Sequence, residues 1–150
     1  MESKNKTILI TASAKRLGKF IATYLTKKGW KVAIHYNKSK KFAEETADYL
    51  SKIGGNVSIH QADLTCISDI EKLVNEIEAK DSKWVGLVNN AGYFNYDNGM
   101  SFKVEELHRH MSVNFIAPTL LTKALAKYSM NIKKQKNISQ AFVINILDAK

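Results

Sequence analysis

Residues 10–20, ITASAKRLGKF, join an apolar segment to a stretch of helical periodicity through a turn suited to an anion. Thr11 ends the apolar segment, and Gly18 stands seven positions later, where the helical pattern starts. The first N–H groups of a helix have no partner within it and carry the positive end of its dipole, so such a turn is a natural phosphate site. Arg16, next to Leu17, adds a cation with a fork of donors. The spacing departs from the G-x-G-x-x-G pattern, so the turn alone is a weak indication.

Residues 35–39, HYNKS, follow a second apolar segment and contain no carboxylate. Sites for an unmodified ribose place Asp or Glu at this point, where a ribose 2′-phosphate needs cations and donors instead. Lys38 supplies charge, and Tyr36 and Ser39 supply donors. Ser39 is also typical of a helix N-cap, and both roles are compatible. The segment therefore favours a nucleotide that carries a 2′-phosphate.

Further candidate site residues follow the third and fourth apolar segments, and one lies in a later helical stretch. They are Asp63 and Leu64 in QADL, Asn90, Ala91 and Gly92 in NNAG, and Asn114. In an open α/β sheet, ligands bind beyond the carboxyl ends of the strands. We therefore expect these residues to lie near the turn at 10–20.

These landmarks, in this order along essentially the whole chain, resemble the short-chain dehydrogenase/reductase family. The family's turn reads T-G-x-x-x-G-x-G, so Ala12 and Arg16 occupy its first two glycine positions. The resemblance implies that Asp63 meets the adenine of the cofactor and that the NNAG segment approaches the cofactor and supports the sheet. It also implies that Asn114 is the asparagine of the catalytic tetrad.

Four further features resemble the pteridine reductase branch of that family. They are AKRLG at 14–18, HY-x-KS at 35–39, Phe94 and Asp148. The resemblance implies that Phe94 stacks a pterin against the nicotinamide, and that Arg16 reaches the pyrophosphate and the pterin. Asp148 stands where most of the family has its catalytic serine, and it would hold the aminopyrimidine edge or relay a proton. The alternative for Asp148 is a helix cap or a solvated acid.

The resemblance thus implies a reductase that uses NADPH and reduces a pterin or a carbonyl. Its catalytic residues are expected to be Asp148 and Asn114, and its substrate-binding residues Phe94 and Arg16. The expected cofactor-binding residues are Thr11, Arg16, Leu17, Gly18, His35, Tyr36, Lys38, Ser39, Asp63, Leu64, Asn90, Ala91 and Gly92.

The family's Tyr-x-x-x-Lys pair, which delivers the proton, does not follow Asp148 in these 150 residues. Two matches to the spacing, Tyr24 with Lys28 and Tyr36 with Lys40, precede the fifth strand and are interpreted as coincidences. We therefore expect a chain truncated after its fifth strand, unable to reduce pterins alone, with that strand as an unprotected edge. The alternative is a non-catalytic NADP(H)-binding protein.

Hydrophobic periodicity predicts the elements that must position these residues. It predicts strands at 7–12, 31–36, 56–61, 84–88 and 141–147, and helices at 17–29, 42–54, 67–77 and 104–130, the last interrupted by Pro118. The strands are apolar on both faces, which is typical of a parallel sheet covered on both sides. We predict one Rossmann-like, doubly wound α/β domain over residues 1–150.

The composition limits the classes of molecule that the chain is expected to bind and the compartment in which it is expected to occur. A net charge of +9 favours anionic ligands, but scattered lysines give the same total, and without a recognition motif we expect no nucleic-acid partner. A single cysteine, Cys66, suits a reducing compartment. No signal-peptide core and no apolar run of about 20 residues is present, so we expect a cytoplasmic protein without a membrane partner. The resemblance implies a small-molecule substrate and a homo-oligomer for a full-length form.

Four further titratable residues, all between 105 and 110, are interpreted as solvated. His108 and His110 point in different directions on a helix, so they cannot share a metal as an i, i+4 pair does, and no metal site is expected. Glu105 and Glu106 are adjacent acids on the same helix.

Overall fold

The computed structural model describes residues 6–80, 83–96, 98–136 and 141–147, with side chains throughout except at 132–136. The strands are β1 (Thr7–Ile10), β2 (Lys31–Tyr36), β3 (Val57–Gln61), β4 (Trp84–Asn89) and β5 (Phe142–Asn145). The helices are α1 (Arg16–Lys27), α2 (Lys40–Lys52), α3 (Ile67–Lys80), α4 (Val104–Met111) and α5 (Ala117–Lys136), and a π-helical turn (Ser112–Ile116) joins the last two.

The five strands form one parallel sheet in the order β3-β2-β1-β4-β5. The chain first winds outward from β1 to β3, then returns to the other side of β1 for β4 and β5. The strand order therefore reverses between β1 and β4. The loops after these two strands run in opposite directions and leave a crevice between them. This Rossmann-like arrangement confirms the predicted fold class.

Side chains of successive strand residues enter two separate cores. Ile8 and Ile10 pack in a cluster with Ala22 of α1 and Leu50 of α2. Leu9, between them, packs on the opposite face of the sheet in the cluster built with α3 and α5. This alternation follows from the two-residue period of a strand, and it explains why β1 is buried throughout.

Helix α1 faces the sheet through smaller residues than its sequence suggests. Its buried residues are Gly18, Ala22 and Thr26. Phe20 and Tyr24, the two aromatic residues of the helix, are 69% and 55% exposed. The buried face of α1 therefore excludes the aromatic residues of the helix.

The predicted interruption at Pro118 takes the form of a π-helical turn. Pro118 is the second residue of α5 and has no N–H to donate to the carbonyl of Asn114, four residues earlier. Asn114, whose carbonyl lacks this donor, lies within the π-helical turn. The helix therefore departs from α-helical hydrogen bonding at the residue where the proline removes a bond. Turns of this type are frequent at functional sites. None of the helices in the described ranges combines the length and apolarity needed to cross a bilayer.

Candidate functional site

The loop after β1 is tied to the end of β4 through Thr11. The Thr11 hydroxyl oxygen accepts the N–H groups of Asn90 at 2.9 Å and Ala91 at 2.8 Å. In return, Asn90 Nδ2 donates to the carbonyls of Thr11 at 2.9 Å and Ala12 at 3.3 Å. Thr11 is buried, so this residue acts on the crevice by fixing the two strand ends against each other.

Both non-glycine residues at the glycine positions of the loop adopt left-handed backbone. Ala12 has φ +52° and Arg16 has φ +50°. This conformation brings Cβ close to the backbone and costs an L-residue about 1–2 kcal/mol, which is why glycine is usual there. The loop therefore keeps the conformation of a glycine-rich turn despite its side chains.

Gly18 occupies the third glycine position, and the structure has no room for a side chain there. A Cβ on Gly18 would lie 2.5 Å from the Ala12 carbonyl oxygen and 2.7 Å from Asn90 Nδ2. Both are too short for any real contact, and the first involves backbone. Gly18 thus allows the start of α1 to press against the loop.

His35 lies beneath the same loop and has both ring nitrogens engaged. The N–H of Ala12 donates to Nδ1 at 3.0 Å, and Nε2 lies 3.1 Å from the Ala62 carbonyl. These partners assign the neutral tautomer in which Nε2 carries the proton. Burial lowers the pKa of His35 from 6.5 to about 4. A direct contact between the His35 ring and a ligand, as the sequence suggested, would have to displace one of these bonds.

The ends of β2 and β3 bring Lys38 close to Asp63. Asp63 Oδ1 accepts the N–H of Thr65 at 2.9 Å and its hydroxyl at 2.7 Å. The backbone hydrogen bond from Thr65 is the main cause that lowers the pKa of Asp63, and Lys38 contributes as a nearby positive charge. Asp63 is therefore an anion with a fixed orientation just after the carboxyl end of β3.

The other residues predicted near the end of β2 or β3 differ in accessibility. Tyr36 and Ser39 are partly exposed and Lys38 is exposed, whereas the side chain of Leu64 is buried in the core on the α3 side of the sheet. Ser39 occupies the N-cap position of α2, and within the described chain its side chain makes no capping hydrogen bond. The Ser39 hydroxyl is thus not engaged in capping, while Leu64 can offer a ligand only its backbone.

Asn114 holds the loop after β4 through a pair of hydrogen bonds. Its Oδ1 accepts the N–H of Tyr93, and its Nδ2 donates to the Tyr93 carbonyl, both at 2.8 Å. Asn114 Oδ1 lies 4.0 Å from where a Cβ on Gly92 would stand. The π-helical turn therefore presents Asn114 to the segment just after NNAG.

Five residues, Tyr93, Asn95, Glu106, Arg109 and His110, form what we call the loop cluster. Glu106 Oε2 accepts the Tyr93 hydroxyl at 2.6 Å and Asn95 Nδ2 at 3.3 Å, and the N–H of Asn95 donates to His110 Nε2 at 3.3 Å. Arg109 lies 3.5 Å from Glu106 and 5.7 Å from the Tyr93 ring. The hydrogen bond from Tyr93, above all, lowers the pKa of Glu106.

The loop cluster corrects the interpretation of Glu106 and His110 as merely solvated side chains. Both contact the loop after β4, whereas Glu105 and His108 are exposed. A signal for this was present in the sequence, because Glu106, His110 and Asn114 recur every four residues and so share one helix face.

Phe94 projects from the loop that these residues hold, and 52% of it is exposed. The Tyr96 and His110 rings approach it edge-on, with ring centroids 5.0 Å and 6.3 Å away. A cavity of about 370 Å³ lies here, lined by Phe94, Asn95, Tyr96, Phe102, Leu107 and His110. Asp148 lies outside the described residues. No group of three potential metal ligands occurs among the described side chains.

Comparison with known proteins gives the chain a family. A family model described as short chain dehydrogenase matches residues 6–146. The 3-oxoacyl-[acyl-carrier-protein] reductase of Synechocystis is 26% identical over 139 residues, which are 93% of this chain and 56% of that protein. Hydroxynaphthalene reductase arp2 of Aspergillus fumigatus is 33% identical over 87 residues, 58% of this chain and 32% of that protein.

A solved structure of FolM alternative dihydrofolate reductase 1 from Brucella canis, complexed with NADP, has a TM-score of 0.87 and 30% identity. The alignment covers 99% of this chain and 57% of that one. The chain therefore spans about a third to somewhat over half the length of these relatives. Because the family model matches nearly all of its residues, the chain is a member of the short-chain dehydrogenase family.

Proposed function

We propose that this chain binds NADP(H) across the carboxyl ends of β1, β2 and β4, and that it is the cofactor-binding part of a reductase. The observation that carries the proposal is the charge around the crevice. Neither α1 nor α2 has an acidic residue in its first turn, so the positive ends of both helix dipoles remain uncompensated. Lys15, Arg16 and Lys38 add cations beside them.

The proposed contacts follow the phosphate groups of the cofactor. Arg16, with the N–H groups of Leu17 and Gly18, would hold the pyrophosphate at the start of α1. Tyr36, Lys38 and Ser39 would hold the 2′-phosphate, which a carboxylate at this point would repel. Asp63 and the backbone of Leu64 would meet the adenine, and Asn90, Ala91 and Gly92 the cofactor beyond the pyrophosphate. The NADP-bound Brucella structure supports this choice of cofactor.

For the substrate we propose a flat heterocycle of the pterin class, reduced by the hydride that NADPH supplies when bound. Phe94 offers a half-exposed aromatic surface beside the crevice, and stacking on a planar ring is the interaction such a side chain makes best. Arg16 would contribute a further contact, and Asp148 would hold the aminopyrimidine edge or relay a proton. A carbonyl substrate is the alternative, favoured by the similarity to the 3-oxoacyl-[acyl-carrier-protein] reductase of Synechocystis.

The proposal is tested by measuring the affinities of the chain for NADPH and for NADH by isothermal titration calorimetry. We expect tighter binding of NADPH, because Lys38 pairs with the 2′-phosphate. Lys38→Glu should weaken NADPH binding by about tenfold or more, the value of one charge-assisted contact, and should leave NADH binding unchanged. Lys52→Glu, at the opposite end of α2, is the matched control and should change neither affinity. Equal affinities of the parent chain for both cofactors would contradict the proposal.

We further propose that these 150 residues bind the cofactor without turnover. No Tyr-x-x-x-Lys pair follows β5 in them, and the two pairs with this spacing lie elsewhere, since Tyr24 is on α1 and Tyr36 ends β2. NADPH oxidation by this chain should stay at background with dihydrobiopterin or dihydrofolate. Turnover at enzymatic rates would show that another group supplies the proton. A non-catalytic NADP(H)-binding protein is the second candidate, and a longer chain with a downstream Tyr-x-x-x-Lys pair would exclude it.

A further inference from the structure

His35 connects three separate pieces of the chain at the base of the crevice. Its Nδ1 accepts the N–H of Ala12 in the loop after β1, and its Nε2 donates to the carbonyl of Ala62, just after β3. Its own carbonyl accepts the N–H of Ser13 at 3.0 Å. Two consecutive loop residues are thus bound to this one residue of β2.

The hydrogen bond to Ala12 is made at a residue whose backbone conformation is unfavourable. Ala12 has φ +52°, a conformation that alanine disfavours, and its N–H faces a buried ring in place of water. The next residue, Ser13, is also held, because its hydroxyl donates to the Ile10 carbonyl at 2.7 Å. Without an acceptor at Nδ1, the Ala12 N–H would lose its hydrogen bond to the chain, and the turn would lose the interaction that offsets its strain.

We propose that His35 is a positioning residue that holds the alanine-bearing loop in its left-handed conformation and thereby sets the affinity of the crevice for a dinucleotide phosphate. The residue acts through Ala12 and Ser13, without touching the ligand. The inference rests on the proposed function for its ligand, and on the described hydrogen bonds for its mechanism.

Only one protonation state of His35 meets both partners. The Ala12 N–H requires a bare Nδ1, and the Ala62 carbonyl requires a proton on Nε2, so the ring must be neutral. The titratable groups that act on it are those of His60, its register partner on β3, and Asp63. Burial lowers the pKa of His35 by more than the negative charge of Asp63 raises it. The ring is therefore neutral at neutral pH.

The test compares His35→Phe with His60→Phe in the 150-residue chain. Both histidines are buried on adjacent strands, but His60 hydrogen-bonds to Glu76 and Ser58, away from the loop. Both substitutions should lower the free energy of unfolding in urea. Only His35→Phe should accelerate hydrogen exchange at the Ala12 amide and weaken NADPH binding by about tenfold or more, the loss expected when a part-buried hydrogen bond that holds the loop is removed.

His35→Gln provides a rescue, because an amide side chain retains one acceptor and one donor. It should restore protection of the Ala12 amide and part of the NADPH affinity that His35→Phe loses. Unchanged exchange at Ala12 in His35→Phe, or an equal loss of affinity in His60→Phe, would overturn the proposal. If the parent chain binds no NADPH, the proposed function fails, while exchange at Ala12 still decides whether His35 holds the loop.

Discussion

At the scale of single residues, the loop after β1 places different structural constraints on the three positions where the family has glycine. Two of the three carry side chains and still adopt positive φ, while the third, Gly18, has backbone within 2.5 Å of where a Cβ would lie. A left-handed backbone conformation and a close approach of neighbouring backbone are thus two different reasons for a glycine. The first can be met at a cost by alanine or arginine, whereas the second admits only glycine.

Gly18→Ala should therefore disrupt the loop even though alanine favours helices. The added methyl must displace either the Ala12 carbonyl or the start of α1, and we expect a loss of stability of about 1–3 kcal/mol, typical of overpacking. NADPH binding should weaken in parallel. Gly99→Ala, where nothing lies within 4 Å of the Cβ, is the control and should leave urea unfolding unchanged. A Gly18→Ala variant as stable as the parent would show that the loop can yield.

His35 also gives a residue-scale prediction for pH. Its pKa is about 4 in the folded chain against 6.5 for an ordinary histidine, so the unfolded chain binds more protons between these values. The free energy of unfolding should therefore fall as pH drops from about 6.5 towards 4, by on the order of 2–3 kcal/mol from this residue alone. Urea unfolding across this range measures the slope, which His35→Phe should reduce. An identical slope in both chains would contradict the assignment.

At the scale of elements, α4 and the π-helical turn hold the loop that carries Phe94. Glu106, His110 and Asn114 face this loop from successive turns and bond to its backbone or side chains at Tyr93 and Asn95. The exposed aromatic ring is thereby set on a segment that a helix restrains. The proposed stacking of a ligand on Phe94 would benefit from this restraint, since ordering a free loop on binding would reduce affinity.

Glu106→Gln tests whether the loop cluster restrains residues 93–96. The amide loses the charge that strengthens the bond from the Tyr93 hydroxyl, and we expect faster hydrogen exchange in this loop together with weaker dihydrofolate binding. Glu105→Gln, its exposed neighbour, is matched in chemistry and should change neither measurement. Because hydrogen bonding lowers the pKa of Glu106, acidification that protonates it in the parent should loosen the loop in the same way. Protection of the loop that persists in Glu106→Gln would assign the restraint to Asn114.

At the scale of the whole molecule, the described sheet has an apolar outer strand at β5. Ile144 is 46% exposed, and within the described ranges β5 pairs with β4 on one side only. Unpaired N–H and C=O groups beside apolar side chains favour pairing with another chain. The crevice lies between β1 and β4, near the centre of the sheet, and is separated from this edge.

We therefore expect this 150-residue chain to self-associate as its concentration rises, as measured by sedimentation velocity. Ile144→Lys should reduce the association, because a charge on an edge strand opposes pairing. Ile53→Lys, at the end of α2, alters a residue of similar exposure away from any strand and is the control. Both variants should bind NADPH like the parent. A parent chain that remains monomeric at high concentration would contradict this prediction.

The sequence by itself determined the fold class and the order of its elements along the chain. Those features depend on local patterns, namely apolar runs, helical spacing and turn residues, which neighbouring residues specify among themselves. Only the tertiary structure decided how several site residues act. Thr11 bonds to Asn90 and Ala91 in the loop after β4, His35 bonds to Ala12, and Glu106 bonds to Tyr93, across 79–80, 23 and 13 residues respectively. The physical reason is that a polar side chain's partner is set by which segments the folded sheet brings within hydrogen-bond distance, and sequence spacing alone does not contain that distance.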